Sequence, residues 1–482
     1  CKAVEPSART DAPPVPPVIA ASPETVSLRC GVWRKDPVES RSSLRCPLIR
    51  HGEVMKIAAF GLCDRGLKRP NNEDFMLLDP ELNLYVVCDG VGGRSGGEVA
   101  SQMAATSLQR TVAQHGAALG AVASGQSHPD GLAALLQSGV EAACKEIHDR
   151  GSAKGGTRGM ATTCTALLIC GGKAVMGHVG DSRLFLHRRQ SVSQLSEDHT
   201  IAAEAIRRGI ITPTQAAESS RGHVVTRALG TQPTVMVDTL VFDVVAGDTL
   251  LLCSDGLHGY TPDAAELAPL LSSPMVREIP KRLVDLANGR GGRDNVTTIV
   301  IRLEEATDNA EQTERANNVL RNMQTLRHIE LMRDLSMAEV VKLQQVFREV
   351  AYGPGEQIIR EGEVSESLFV LVDGGAQVAR GGKLIATLTA GAHFGEMALL
   401  NRRPRSASVR TVGPSRLLVA DQAHLYHLLQ QDGMLAAKFF WKLARTLSLR
   451  LDDFYVQEEG TAARGTASLR FGSVTLPLPP QP

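Results

Sequence analysis

Five acidic residues stand where apolar, strand-like runs give way to glycine, serine or asparagine. They are Asp74 in Asn71-Asn72-Glu73-Asp74, Asp89 in Val87-Cys88-Asp89-Gly90, Asp181 in Gly180-Asp181-Ser182-Arg183, Asp255 in Cys253-Ser254-Asp255-Gly256, and Asp294 in Gly292-Arg293-Asp294-Asn295. Any one alone reads as an Asx turn or a helix cap. Their recurrence at the ends of apolar runs is better explained by convergence on a shared charge. Carboxylates brought together without a cation repel one another. Oxygen ligands without paired Cys or His select Mg2+ or Mn2+ over Zn2+. Two such ions about 4 Å apart lower the pKa of a water between them and make a nucleophile for phosphorus. The reaction class suggested is metal-assisted phosphoester hydrolysis.

These residues must be positioned by the runs that precede or follow them. Strand-like segments fall at Ile57 to Leu62, Leu84 to Val87, Thr162 to Ile169, Ala174 to Val179, Thr249 to Leu252 and Val296 to Ile301. Between the second and third, Val99, Met103 and Leu108, then Leu132, Leu136, Val140 and Ile147, recur at near-helical spacing. Clustered strands with helices segregated between them predict an α+β layered sandwich in preference to a doubly wound parallel sheet. From Ile358 the texture changes to short strands separated by glycines, at Ser367 to Val372, Gln377 to Ala379 and Leu384 to Leu388, which predicts an all-β barrel or jelly roll. Leu425 to Tyr455 returns to helical spacing.

The expected organisation is a disordered, Pro-rich leader over 1–54, a catalytic domain over 55–304, a polar linker over 305–325 that continues as a helix, a second domain over 326–456 and a flexible tail over 457–482. The leader buries too little to offset its ordering entropy. Since the chain opens on Cys1 and the first strand follows Met55, the leader is expected to be dispensable or a mis-extended reading frame.

With 482 residues the length prior allows about three domains. The 52 basic and 52 acidic residues cancel, so nothing global points to nucleic acid or an anionic membrane. Nine cysteines without a Cys-x-x-Cys pair suit reduced, buried thiols. No apolar run reaches the roughly 18 residues needed to span a bilayer, and the N-terminal residues lack a signal-peptide layout. The expectation is a cytoplasmic protein with no nucleic-acid or membrane partner.

The motifs Asp64-Arg65-Gly66 through Arg69, Asn72-Glu73-Asp74, Val87-Cys88-Asp89-Gly90-Val91-Gly92-Gly93, Gly180-Asp181-Ser182-Arg183, Ser254-Asp255-Gly256-Leu257 and Arg293-Asp294-Asn295-Val296 closely resemble, in order, those of the PP2C-type metal-dependent protein serine/threonine phosphatases, the bacterial ones especially. The resemblance covers about residues 56–304 and implies an αββα sandwich. It implies that Asp89 bridges two Mn2+ or Mg2+ ions, that Gly90 lends its carbonyl, and that Asp255 and Asp294 complete the pair. Asp74 with Glu73 would lie in or behind that shell, and Asp181 would help hold a third, weaker metal. Arg69 resembles the family's phosphate clamp, its planar fork suiting a phosphoryl group. Ser196-Glu197-Asp198-His199-Thr200 through Thr226-Arg227-Ala228-Leu229-Gly230 is similar to the substrate-side flap of bacterial members. One departure stands out: many eukaryotic members carry His where Val91 stands, so the proton donor to the leaving oxygen is unassigned. His178, His199 and His223 read equally well as structural.

In the second domain, Phe394-Gly395-Glu396-Met397-Ala398-Leu399-Leu400 and Pro404-Arg405-Ser406-Ala407-Ser408-Val409 join a short glycine-led helix to a strand through a basic loop. Amides and one Arg can hold a phosphate while a carboxylate accepts a ribose hydroxyl proton; the bland alternative is a helical turn with surface arginines at Arg402, Arg403 and Arg405. The spacing resembles the phosphate-binding cassette of cyclic-nucleotide-binding domains, whose β-roll and flanking helices match residues 326–455. The resemblance implies Gly395 and Glu396 at the ribose, Arg405 on the cyclic phosphate, amides near Ala398 and Ala407 assisting, and Ser406 where some relatives recognise guanine, with cAMP and cGMP both open. Phe439, Phe440, Trp441, Phe454 and Tyr455 read as core or an oligomer contact ahead of a ligand lid.

The expected activity is hydrolysis of phosphoserine and phosphothreonine on protein substrates of Ser/Thr kinases, regulated by a cyclic nucleotide. Two alternatives are a non-catalytic scaffold carrying a nucleotide sensor, and a phosphatase whose β-roll serves only dimerisation or partner binding. Retained Asp89, Asp255 and Asp294 weigh against the first, and retained Glu396 and Arg405 against the second.

Overall fold

A computed structural model describes residues 56–462 apart from 92–95, 124, 154–158, 218, 220–221, 223, 262, 305–309 and 402. The leader, most of the tail, Gly92, Gly93, His223 and Arg402 therefore lie outside the described residues, as do the side chains of Phe454 and Tyr455.

The catalytic half opens with β1 (Lys56–Asp64), β2 (Phe75–Asp79), β3 (Leu84–Cys88) and the short β4 (Gly90–Val91). Helices α1 (Gly96–Ala113), α2 (Gly116–Ala123) and α3 (Asp130–Ser152) follow, then β5 (Ala161–Thr162), β6 (Cys164–Cys170), β7 (Lys173–Val179), β8 (Arg183–Arg188) and β9 (Ser191–Gln194). The flap carries α4 (Ile201–Arg207) and α5 (Pro213–Ala217), and the half closes with β10 (Asp238–Asp243), β11 (Thr249–Cys253), α6 (Asp255–His258), α7 (Ala268–Leu271), α8 (Ile279–Gly289) and β12 (Val296–Glu304). Two five-stranded antiparallel sheets result, ordered β1-β12-β11-β8-β9 and β10-β7-β6-β3-β2.

Alternation along the strands explains the layering. In β3, Tyr85 and Val87 join Leu184, Leu186, Leu250, Leu252, Ile299 and Ile301 between the sheets, whereas Leu84, Val86 and Cys88 face Leu108, Leu132, Leu136 and Val140 of α1 and α3. A strand apolar on both faces needs cover on both, which is why it reads as a continuous hydrophobic run. The other sheet turns Phe185, Leu251 and Val300 toward Leu283 of α8. The arrangement is the expected α+β sandwich.

The second half contains α9 (Ala310–His328), α10 (Met337–Gln344), β13 (Phe347–Tyr352), β14 (Gln357–Ile359), β15 (Ser367–Asp373), β16 (Gly375–Arg380), β17 (Lys383–Thr389), β18 (His393–Phe394), α11 (Met397–Leu400), β19 (Ser408–Thr411), β20 (Ser415–Asp421), α12 (Gln422–Gln431) and α13 (Gly433–Ala462). Its strands form two four-stranded sheets, β13-β20-β15-β18 and β14-β19-β16-β17. Phe369, Leu371, Val409, Leu417 and Val419 fill the space between them. Leu368, Val370 and Leu418 point the other way, onto Leu425, Leu435 and Phe439 of α12 and α13.

Several expectations change. The segment read as a linker is helical from Ala310, because Val319, Met323 and Leu326 bury one stripe at spacings of four and three. The single run Thr162 to Ile169 divides at Thr163, whose amide and hydroxyl are taken up by Asp89. The helical run Leu425 to Tyr455 breaks at Asp432, and the second piece continues to Ala462, into the expected tail. Strands β2, β8, β9 and β10 went unanticipated; β9 is Ser-Val-Ser-Gln and gains its conformation from pairing with β8. Of the helical aromatics, Phe439 is core and Trp441 is 72% exposed. Among the described residues no helix is long and apolar enough to cross a membrane.

Candidate active site and nucleotide cassette

Strand register brings the five carboxylates to one end of the catalytic sheets. Phe75 pairs with Cys88, so Asp74 and Asp89, one step outside, face each other across β2 and β3. In the other sheet Cys253 pairs with both Arg183 and Thr298, and Val296 pairs with Asp64. Asp181, Asp255 and Asp294 therefore emerge at the corresponding strand ends; Asp89 feels the charge of the other four, Asp74 that of Asp255 and Asp294, and Asp181 that of Asp255.

Each is held by its neighbours. The Asp89 amide donates to Thr163 Oγ1 at 2.9 Å, and its carbonyl accepts from the Thr163 amide at 2.8 Å and from Thr162 Oγ1 at 2.9 Å. Gly90 can only be glycine: a Cβ there would lie 2.4 Å from the carbonyl oxygens of Glu73 and Gly97. Asp74 Oδ2 accepts from Ser254 and Thr297 hydroxyls, both at 2.7 Å, while its buried Oδ1 has no hydrogen-bond partner among the described residues. Asn295 stitches the loops together, accepting from the Glu73 amide at 2.8 Å and donating to the carbonyls of Arg65 and Asn71, each at 2.9 Å. Asp255 opens α6 behind Ser254, and a Cβ on Gly256 would meet the Asn295 carbonyl oxygen at 1.8 Å. The Asp181 carbonyl accepts from His258 Nε2 at 2.9 Å.

Burial, and then mutual repulsion, disfavours the ionised forms. Asp74 is pushed up to about 7 and Asp181 to about 8, and Asp89 lies well above the ordinary carboxylate range for the same reasons. Arg69 relieves part of this: its Nη2 lies 2.7 Å from Asp294 Oδ2, and that hydrogen bond raises the guanidinium pKa. The expected phosphate clamp thus rests on a carboxylate, in a pair half open to water that an arriving anion can compete for. Among the described residues no three acidic, His or Cys side chains stand close enough to ligate one ion. The donor set still fits a hard divalent cation, because the oxygens are ones a cation would satisfy: the orphaned Asp74 Oδ1 and carboxyls whose charge is otherwise suppressed.

The flap is anchored beside this cluster. His199 Nδ1 accepts from the Gly180 amide at 3.0 Å, so its Nε2 carries the proton and donates to Asp238 Oδ2, also at 3.0 Å. Arg227 donates to Asp238 Oδ1 at 2.8 Å. His178 is buried between Thr165 and the Glu197 carbonyl. Both histidines are occupied structurally. Val91 is 46% exposed and offers no proton.

The cassette is a local construction. Gly395 has φ of +81°, and a Cβ there would approach the Ser367 carbonyl oxygen at 2.8 Å and Arg405 Nη1 at 2.9 Å. Glu396 and Arg405 are both buried. Arg405 donates to the carbonyls of Gly395 and Ser367 and to Ser365 Oγ at 2.6 Å, and lies over the Phe369 ring. Burial lowers its pKa, opposed by Glu396 and Glu363. Ala398 is buried in the single turn of α11, while Ser406 is exposed and Ala407 half-buried at the entry to β19.

Comparison with known proteins matches residues 70–288 to the family described as Protein phosphatase 2C and residues 349–432 to the Cyclic nucleotide-binding domain. The chain is 34% identical over 242 residues to the serine/threonine phosphatase stp of Listeria innocua, spanning 49% of this chain and 92% of that protein. It is 35% identical over 238 residues to the serine/threonine protein phosphatase PstP of Mycobacterium tuberculosis, spanning 49% of this chain and 43% of that protein. The crystal structure of the latter phosphatase aligns with 52% of this chain and 99% of that one, at a TM-score of 0.46 and 34% identity. The chain belongs to the protein phosphatase 2C family, as a PP2C-type serine/threonine protein phosphatase that also carries a C-terminal cyclic nucleotide-binding domain.

Some of the supporting residues were not visible as such in the sequence. Ser254 lies inside a recognised motif and Thr297 inside the strand-like run Val296 to Ile301, yet nothing in their spacing says that both grip Asp74. Thr163 and Ser365, which hold Asp89 and Arg405, carry no local signal at all.

Proposed function

We propose that this phosphatase hydrolyses phosphoserine and phosphothreonine on cytoplasmic proteins phosphorylated by Ser/Thr kinases, using two Mn2+ or Mg2+ ions and a third held more weakly, under the control of cAMP or cGMP. The observation that carries the catalytic half is the convergence of Asp74, Asp89, Asp181, Asp255 and Asp294 from five separate segments, with the ionised forms of Asp74, Asp89 and Asp181 disfavoured by burial and by neighbouring carboxylates. In this reading Asp89, Asp255, Asp294 and the Gly90 carbonyl hold the pair, Glu73 and Asp74 support it, and Asp181 serves the third ion. When bound, two such cations supply Lewis acidity, generating a nucleophile from water at neutral pH and offsetting phosphoryl charge. Arg69 orients the phosphoryl group after exchanging Asp294 for it. Thr163, Ser254, Thr297 and Asn295 keep the carboxylates and the Gly90 turn in place.

The regulatory half takes residues 326–456 as the sensor and 55–304 as the enzyme. Gly395, Glu396, Ala398, Arg405, Ser406 and Ala407 form the nucleotide site, with Glu396 for the ribose and Arg405 for the cyclic phosphate. The test is hydrolysis of a phosphothreonine peptide by the full chain in Mn2+, with cAMP and with cGMP. Turnover that changes with one nucleotide, and calorimetric binding lost in Arg405→Ala, are expected. Binding without any change in turnover would remove the regulatory half.

A further inference from the structure

Helix α10 has no surface face of the usual kind. Its start is fixed by a capping box, in which Ser336 and Glu339 bond each other's backbone amides. Ala338 and Val341, with Met337 beside them, sit in the core between the two catalytic sheets. Val340 and Leu343 lie on the opposite side, in the core of the nucleotide domain. Helix α9 is divided in the same way, with Met323 in the first core and Leu326 in the second. Close-packed interiors transmit displacement instead of absorbing it, so neither domain can shift α10 without disturbing the other.

The polar seam of α10 runs from cassette to flap. The Leu399 carbonyl accepts from Gln422 Nε2 at 2.9 Å and from the Tyr426 hydroxyl, which suspends α12 from the cassette. Beyond the end of α12, Asp432 Oδ1 caps α13 through the Leu435 amide at 3.0 Å, and Oδ2 accepts from Lys342 Nζ of α10 at 2.8 Å. Glu339 binds Lys438 of α13 at 2.7 Å. Past Asp432, the next carboxylates that stabilise the Lys342 ammonium are Glu197 and Asp238. These two residues bracket the flap: Glu197 holds Arg207 of α4 at 2.7 Å, and Asp238 holds Arg227 and His199, whose ring receives the Gly180 amide beside Asp181. Helix α10 packs directly on β9 and β10, the strands from which the flap departs and to which it returns.

We infer that Lys342 is a positioning residue for the substrate flap, shared between Asp432 at the α12–α13 junction and the flap roots Glu197 and Asp238, so that the nucleotide domain sets where the flap stands. The nucleotide-dependent part rests on the regulatory reading above; the positioning part does not. Movement of Asp432 changes how much of the ammonium is left for the flap roots, which gives the ligand two states to bind differently.

The test is steady-state kinetics of the full chain in Mn2+ with a phosphothreonine peptide and with para-nitrophenyl phosphate, which is too small to need the flap. Lys342→Met and Asp432→Asn are expected to move the peptide KM by about fivefold or more while leaving aryl phosphate turnover unchanged, and Lys342→Arg to behave as wild type. Asp432→Asn keeps a capping side chain on α13 and reads the same proposal if Lys342→Met fails to fold. An unchanged peptide KM in Asp432→Asn and in any folded Lys342→Met overturns the proposal. Adding the nucleotide separates the two readings. A wild-type response that vanishes in Lys342→Met, with nucleotide affinity retained, supports the link, and a full response in Lys342→Met overturns it. A wild type that binds without responding sinks only the regulatory reading, and the KM comparison still decides the positioning role.

Discussion

The two sites solve opposite electrostatic problems. At the catalytic end five carboxylates arrive from segments far apart in the chain, and what they share is repulsion: burial and one another hold Asp74, Asp89 and Asp181 toward their neutral forms. In the cassette a buried Glu396 and a buried Arg405 come from a stretch of about a dozen residues, and Arg405 is tied down by carbonyls and Ser365. The first site is therefore completed by adding positive charge; the second already holds both signs of charge within the protein. Distance in sequence explains the contrast, because only the sheet framework can force like charges together, whereas a local loop can choose complementary ones.

The largest effect should follow from weakening the convergence. Asp255→Asn keeps the shape of the α6 turn and removes one charge, and phosphopeptide turnover is expected to fall by at least about a hundredfold in a steady-state assay. Next comes the buried flap anchor. Burial, with His199 adding to it, lowers the His178 pKa to about 4, against Asp238, Asp198 and the Glu197 carbonyl. The unfolded chain thus binds the proton first as pH falls: the contribution is complete above about pH 6.5 and is lost toward pH 4, by about 3 kcal/mol. Urea unfolding at pH 7 and at pH 4.5 should show a flatter pH dependence in His178→Gln than in wild type.

In the cassette, Arg405→Ala should cost about 2 kcal/mol of nucleotide affinity by calorimetry, leaving Mn2+-dependent turnover without nucleotide unchanged. The pH dependence of metal binding is the effect most specific to a repelling cluster. With Asp74 at about 7 and Asp181 at about 8, a cation must displace protons below those values. Mn2+ affinity is expected to weaken as pH falls from 8 to 6, by about tenfold per unit for each proton displaced, with proton release measurable by calorimetry in two buffers. A flat profile would put the catalytic site in the same class as the cassette.

Much of both sites was legible because their charged residues sit beside glycines that only a close backbone approach explains, as at Gly90, Gly256 and Gly395. The α+β sandwich was legible for a related reason: runs such as Leu84 to Cys88 are apolar on both faces and demand layers on both. What stayed hidden depends on contacts across long sequence separations. Thr297 and Ser254 converge on Asp74 from 223 and 180 residues away, and β9 is a strand only because β8 lies beside it. A helix through Leu326 was expected, but its start at Ala310 was hidden by polarity, since a helix that divides a few buried residues between two domains shows no full apolar stripe to either.

The most direct measurement is a Mn2+ titration of the full chain followed at once by calorimetry and by phosphothreonine-peptide hydrolysis. Hydrolysis is predicted to rise as two equivalents bind at the carboxylate cluster, and binding and hydrolysis should fall together in Asp255→Asn. A wild-type protein that takes up the metal at those carboxylates and hydrolyses nothing would contradict the account.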